Sequence, residues 1–110
     1  MKLDAGILSQ IRGLGGEELL RKLARLYLEH TPLRLEEVRR GIAAQDWKRT
    51  ARAIHSVRSS SATLGAVDLA ETAADMEALA DEEHRAELEA GLPDLEKKIG
   101  EALGALTELA

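Results

Sequence analysis

The chain has 110 residues, of which 32% are charged and 45% hydrophobic, and its formal net charge is −5. This length suits a single domain spanning residues 1–110, with an aliphatic core because Trp47 and Tyr27 are the only aromatic residues. The absence of cysteine excludes disulfides, thiolate metal sites and a cysteine nucleophile. The negative charge argues against nucleic acid as a partner, and no apolar run suits a signal peptide or a membrane span, so we expect a cytoplasmic protein.

The first half of the chain predicts two or three helices. A short helix over roughly residues 4–12 ends at the glycines of GLGG, and a longer one begins near Glu17 with a stripe of leucines. Thr31 and Pro32 permit two interpretations, which the sequence leaves open. They are the cap and first turn of a third helix, or they form a kink within one long helix.

The second half predicts three long helices. Asp46 caps a helix that runs to residue 64 and stops at Gly65, and Asp68 caps the next one. The acidic stretch DEEHRAELEAG is expected to form a loop or a short irregular helix, and Pro93 to open the last helix. The short connections imply antiparallel neighbours. We therefore expect an all-α fold, an up-and-down antiparallel four-helix bundle with one or two short accessory helices.

His55 lies on the outward face of the helix over residues 46–64. At about 100° per residue, every large aliphatic side chain of this helix falls on the opposite face, which must be buried. The residues that lie within about 60° of His55 around the helix axis are small or basic: Lys48, Ala51, Arg52, Arg58, Ser59 and Ala62. Residues 46–64 carry a net charge of +3, whereas the rest of the chain sums to −8. Such a helix suits an anionic ligand or partner.

Three consecutive serines follow His55 in a segment otherwise rich in alanine and leucine. Ser60 and Ser61 lie on the inward flanks, where small side chains let a neighbouring helix approach. Ser59 lies one turn beyond His55 on the outer face, where a larger residue would cover the imidazole. The alternative is that serine is simply tolerated at these positions.

The stretch IHSVRSSSATLGAVDLAETAADME resembles the pattern of histidine-containing phosphotransfer (HPt) domains, H-x-L-K-G-S-S-x-x-L-G-A, and the resemblance spans about residues 3–80. His55 matches the phosphorylated histidine, Arg58 the basic residue, Ser60 and Ser61 the two small residues, and Leu64, Gly65 and Ala66 the L-G-A. Three positions depart from the pattern, and one of them, Val57 in place of leucine, is a minor change in the core. Arg58 replaces lysine, which keeps the charge but changes the donor geometry, and Ser59 stands where the family prefers glycine.

The resemblance implies that the protein carries a phosphoryl group on His55 between receiver-domain aspartates in a two-component phosphorelay. Arg58 would pair with the phosphate, and the partner would contact Lys48, Ala51, Arg52, Ser59 and Ala62. The expected partners are a receiver domain and a hybrid sensor kinase, and we expect a monomer. No nucleotide-binding loop is recognisable, so the protein is expected to be a stoichiometric carrier and not an enzyme. No cofactor is expected, since Mg²⁺ would belong to the receiver.

Three alternatives remain beside this interpretation. An HPt-like adaptor would bind a receiver or kinase without carrying phosphate, and the serine at position 59 favours it. A helical scaffold unrelated to signalling would leave the basic helix unexplained. A metal site is disfavoured because bundle metal centres need inward Glu-x-x-His pairs. We expect His30 to be a boundary residue, His84 to be solvated, and the acidic run 81–89 to be a solvated face.

Overall fold

The structure, a computed structural model that describes all 110 residues, is entirely α-helical and confirms the expected fold class. Its four helices are α1 (Ala5–Ala43), α2 (Trp47–Thr63), α3 (Val67–Asp81) and α4 (Arg85–Thr107). Each helix packs against the next along the chain, and α4 closes the bundle against α1. The turns of three residues make consecutive helices antiparallel.

Helix α1 contains the predicted short N-terminal helix but does not end at Pro32. Gly16, the last glycine of GLGG, adopts φ 70° and ψ −169°, a conformation that interrupts the helix. The part of α1 before Gly16 is therefore the expected accessory helix. The helix then continues through Pro32 to Ala43, which decides between the two interpretations of that proline. Burial of Leu35 and Val38 beyond Pro32 compensates for the backbone hydrogen bond that proline cannot donate.

Asp4 anchors the accessory helix at the far end of α2. Its carboxylate accepts a hydrogen bond from the Ile7 amide at 2.9 Å, and its own amide donates to the Gly65 carbonyl at 2.8 Å. Gly65 has φ 78°, and a Cβ added there would lie 3.0 Å from the Asp4 nitrogen. The predicted glycine stop of α2 is therefore required both by its backbone conformation and by the close approach of Asp4.

Two predicted helix starts are wrong. Asp68 does not cap α3; the cap is Ala66, and Asp68 lies in the first turn, where its carboxylate still interacts favourably with the helix dipole. Pro93 does not open the last helix, which begins eight residues earlier at Arg85 and takes in most of the acidic stretch. The buried Leu88 extends the apolar stripe of α4 back past the proline, and its packing favours helix over a loop.

Helix α2 lies between α1 and α3, where both of its flanks are packed. Asp46 caps it as predicted, accepting a hydrogen bond from the Arg49 amide at 3.2 Å. At the same end α1 approaches α2 closely, because a Cβ on Gly41 would lie 2.3 Å from the Thr50 hydroxyl oxygen. This close packing fixes α2 so that one face, far from α4, remains open to solvent.

Candidate functional site

His55 lies midway along α2 on its solvent-facing side. The helix buries the residues that its sequence pattern places inward, Thr50, Ala53, Ile54, Val57 and Ser61. The side chain of His55 is 61% exposed. The packing of α2 therefore presents an accessible imidazole on the outside of the bundle.

One nitrogen of the imidazole is held by a carboxylate from the neighbouring helix. Nδ1 of His55 lies 3.1 and 3.2 Å from the two carboxylate oxygens of Glu77, which is on α3 and only 18% exposed. An ionised carboxylate can only accept hydrogen bonds, so this contact requires the hydrogen to be on Nδ1. The other nitrogen, Nε2, then carries the free lone pair and has no hydrogen-bond partner in the protein.

Arg58 shares the same carboxylate. Its Nη1 donates to Oε1 of Glu77 at 3.0 Å, so Glu77 bridges the imidazole and the guanidinium. The remaining guanidinium donors have no partner in the protein, and the side chain is 48% exposed. Arg58 is therefore oriented next to the imidazole with donors still available for an anion.

Glu77 is the residue of this candidate site that the sequence pattern did not predict. The surface pattern of α2 alone does not reveal this contact, because Glu77 reaches His55 from α3, 22 positions along the chain. The available signal was its place in α3, directly after the buried Met76 and one turn beyond the buried Ala73. A carboxylate flanking the buried stripe of α3 lies at the boundary with α2.

Ion pairs with the neighbouring helices leave α2 with fewer unpaired basic side chains than its sequence suggests. Arg49 points to α1, where its Nε donates to Glu37 at 3.1 Å and the guanidinium holds the pKa of that carboxyl below its ordinary value. Arg58 is paired with Glu77. Lys48 and Arg52 are exposed and form no ion pair within the protein, so they are the free cations of the His55 face.

The small residues divide between the open face and the helix contacts. Ser59 and Ala62 are exposed beside His55, whereas Ala51 is half-buried and packs against the core. Ser61 is fully buried, and its hydroxyl lies 2.9 Å from the hydroxyl of Tyr27 on α1. Burial also raises the pKa of Tyr27. The serines therefore serve two purposes, a buried polar contact between helices and an uncovered surface around the imidazole.

Two shallow grooves flank the ridge on which His55 stands. The first, of about 300 Å³, lies between α1 and α2 and is lined on the α1 side by Leu23, Leu26 and His30. The second, of about 290 Å³, lies between α2 and α3 and includes Arg58 and Ala62. Leu26 is 39% exposed, which leaves apolar surface in the first groove. His30, expected at the boundary of the core, is instead exposed and lines the edge of the first groove.

The third histidine lies at the opposite end of the bundle from the α2–α3 turn. His84 is exposed, with Nδ1 3.3 Å from Glu87 and Nε2 3.4 Å from Glu82. No group of three or more histidine, aspartate or glutamate side chains is arranged to hold a metal ion. None of the four helices combines the length and the apolar composition needed to cross a membrane.

The fold and the site together define a helical bundle that presents one ordered, accessible histidine beside a basic residue. The family model of the Hpt domain matches residues 22–109. The chain therefore belongs to the Hpt domain family.

A solved structure shows the same fold. The crystal structure of histidine-containing phosphotransfer protein B (HptB) from Pseudomonas aeruginosa PAO1 superimposes with a TM-score of 0.89 at 20% sequence identity. The match covers 96% of this chain and 91% of that one. A search of curated protein sequences gave no match.

Membership of this family makes the protein a histidine phosphotransfer domain of a phosphorelay. Hpt domains are phosphocarriers and not conventional enzymes, and they interact with receiver domains and kinases.

Proposed function

We propose that His55 is the residue that carries the phosphoryl group, and that it exchanges this group with the phosphorylated aspartate of a receiver domain. The observation that carries the proposal is the orientation of the ring, with Nδ1 held by Glu77 and Nε2 exposed. No other histidine combines an ordered ring with a neighbouring free donor. His30 has no ion-pair partner, and both nitrogens of His84 face carboxylates.

The transfer step follows from this geometry. The lone pair of Nε2 attacks the phosphorus of an aspartyl phosphate, a Nε2–P bond forms, and the P–O bond breaks with its electron pair going to the aspartate carboxylate. Because the proton is on Nδ1, the attack needs no base to free the nucleophile. Nearly all that the protein supplies is positioning and charge neutralisation.

Arg58 supplies the neutralising charge on this chain. The guanidinium lies next to the ring and has donors not used by Glu77, so it can pair with oxygens of the transferred group. We assign a weaker, longer-range role to Lys48 and Arg52, the free cations of the face. They would attract an acidic receiver pocket and increase the association rate.

The docking surface we assign is the His55 ridge with Ser59 and Ala62, bordered by the apolar groove at Leu26. Small side chains beside the ring allow the rim of a receiver to approach, and apolar surface in the groove supplies contact area. Ala51, half-buried, would contribute at the edge of this surface.

The remaining parts of the relay are assigned to partners. The aspartate and the Mg²⁺ ion would come from the receiver, and the phosphate would enter through a receiver or a hybrid sensor kinase. This chain would not phosphorylate itself from ATP. We propose that it works as a monomer in the cytoplasm, since a single site on an open face needs no second copy.

The test is transfer from phosphorylated receiver domains. A panel of purified receivers is phosphorylated with a radioactive small-molecule donor and mixed with the wild-type protein and with His55→Gln. We expect acid-labile, alkali-stable label on the wild type and none on His55→Gln. His84→Gln is the matched control, because it removes an exposed histidine outside the docking surface and should be labelled normally.

Two outcomes would contradict the proposal. Label retained by His55→Gln would place the phosphoryl group on another residue. Receiver binding without any transfer of label would support the adaptor function in place of the carrier function.

A further inference from the structure

We propose that Glu77 keeps the Nδ1 proton on the ring after His55 is phosphorylated, and that it thereby preserves phospho-His55 as a phosphoryl donor at neutral and alkaline pH. This inference rests on the proposed function of His55. Glu77 is a positioning residue here, because it acts on the transferred group only through the imidazole. Its two carboxylate oxygens both lie within 3.2 Å of Nδ1.

The protonation of Nδ1 decides what the phosphoryl group leaves behind. A ring phosphorylated at Nε2 and protonated at Nδ1 is an imidazolium cation. When its Nε2–P bond breaks, the electron pair stays on Nε2 and a neutral imidazole leaves. If Nδ1 has lost its proton, the same bond cleavage must expel an imidazolate anion, which is a far poorer leaving group. A residue that retains the proton therefore keeps the loaded protein reactive.

The structure equips Glu77 for this task. The carboxylate accepts the Nδ1 hydrogen and, being ionised, stabilises the positive charge that the ring acquires on phosphorylation. Loss of the proton would leave the Nδ1 lone pair facing two carboxylate oxygens with no hydrogen between them. Glu77 is mostly buried against α2, so its charge is less screened than that of a surface carboxylate.

Other charged groups around the ring act in both directions. The group closest to Glu77 is Arg58, which would favour loss of the proton but is itself neutralised by the same carboxylate. The more distant groups are on three helices: Lys48 and Arg52 on α2, Asp81 one turn beyond Glu77 on α3, and His30 and Arg34 in the α1 groove. None of these forms an ion pair with His55, so Glu77 dominates the local effect.

The experiment compares the wild type with Glu77→Gln after loading with phosphoramidate, a small donor that phosphorylates histidine without a receiver. Asp75→Asn is the matched control, because it removes an exposed carboxylate from the same helix without touching the site. Long-range ¹H–¹⁵N spectra report the protonation of Nδ1 in the loaded proteins between about pH 6 and pH 9. The loss of phosphohistidine is followed by ³¹P NMR over the same range.

We expect Nδ1 of the loaded wild type and of Asp75→Asn to stay protonated to a higher pH than in Glu77→Gln. Above the pH at which Nδ1 of loaded Glu77→Gln is deprotonated, the rate of phosphohistidine breakdown should fall about tenfold per pH unit. The reason is that the fraction of rings still protonated at Nδ1 falls by the same factor. Loaded wild type that loses the Nδ1 proton at the same pH as a phosphohistidine peptide would overturn the inference, even if Glu77→Gln fails to fold. Absence of any label on His55 would instead overturn the proposed function.

Discussion

Replacing Ser59 with leucine tests whether the face around His55 is a docking surface. Ser59 is exposed one turn from the histidine, and residues four apart on a helix have Cβ atoms about 5–6 Å apart. A leucine there covers part of the approach to the imidazole but contacts nothing in the core. Leucine is also a better helix former than serine, by a few tenths of a kcal/mol, so Ser59→Leu should fold at least as well.

The size of the effect follows from the cost of overpacking. Inserting several carbon atoms into a close-packed contact costs about 1–3 kcal/mol. That range corresponds to a decrease of about 5- to 150-fold in the rate of transfer from a receiver, because 1.4 kcal/mol is a factor of ten. Labelling by phosphoramidate should hardly change, since a small donor reaches Nε2 past a single leucine.

The assay measures both rates on the same preparations, with Ser59→Gly as the control. Glycine restores the residue that the family pattern prefers and removes bulk, so transfer should be retained, while the free energy of unfolding falls by about 0.5 kcal/mol. Receiver-dependent transfer that is unchanged in Ser59→Leu would refute the docking surface. An equal loss with both donors would show that the leucine displaces the imidazole itself.

Three further predictions concern the scaffold. Gly65→Ala should lower the free energy of unfolding by about 2 kcal/mol in urea titrations, because φ is 78° and the added methyl group crowds Asp4; an unchanged midpoint would contradict the tight turn. Arg49 lowers the pKa of Glu37 below its ordinary value of 4.5. The ion pair therefore stabilises the fold above pH 4.5, and this stabilisation is lost as the pH falls through the lowered pKa. The Tm difference between wild type and Glu37→Gln should narrow in acid, and a difference that stays constant would refute a stabilising ion pair. Burial raises the pKa of Tyr27 above 10.0. The contribution of the neutral Tyr27 to the stability of the fold is therefore fully present below pH 10 and is lost as the pH rises through the raised pKa. In thermal unfolding between about pH 8 and pH 11, Tyr27→Phe should lose less stability than the wild type.

The features that the sequence predicted well are those decided within one helix. The period of buried residues in α2 is local, so it gives the direction of His55 correctly. The cap at Asp46 and the positive φ of Gly65 are also local signals, since a few adjacent residues predict each of them, although the close approach of Asp4 adds a non-local requirement for glycine at position 65. These suffice to place an exposed histidine on a helical bundle.

The features that the sequence did not predict depend on contacts between helices. Pro93 predicts a helix start because proline lacks the backbone hydrogen that a helix interior uses, but burial of Leu88 before it outweighs one lost hydrogen bond. The positive charge of α2 also depends on contacts between helices, because Glu37 on α1 and Glu77 on α3 pair with two of its arginines. A helix surface counted alone overestimates the positive charge that a partner meets.

Glu77 is the instance in which such an interhelical contact affects the chemistry. A histidine on a bare helix surface exchanges between two neutral tautomers, and its ring can occupy more than one rotamer. Packing α3 against α2 brings a carboxylate to Nδ1, which selects one tautomer and aims Nε2 at solvent. The proposed phosphotransfer site is therefore a property of the α2–α3 pair. Any substitution that separates these helices, such as a larger residue at the buried Ala73, should reduce reactivity toward phosphoramidate while leaving His55 exposed.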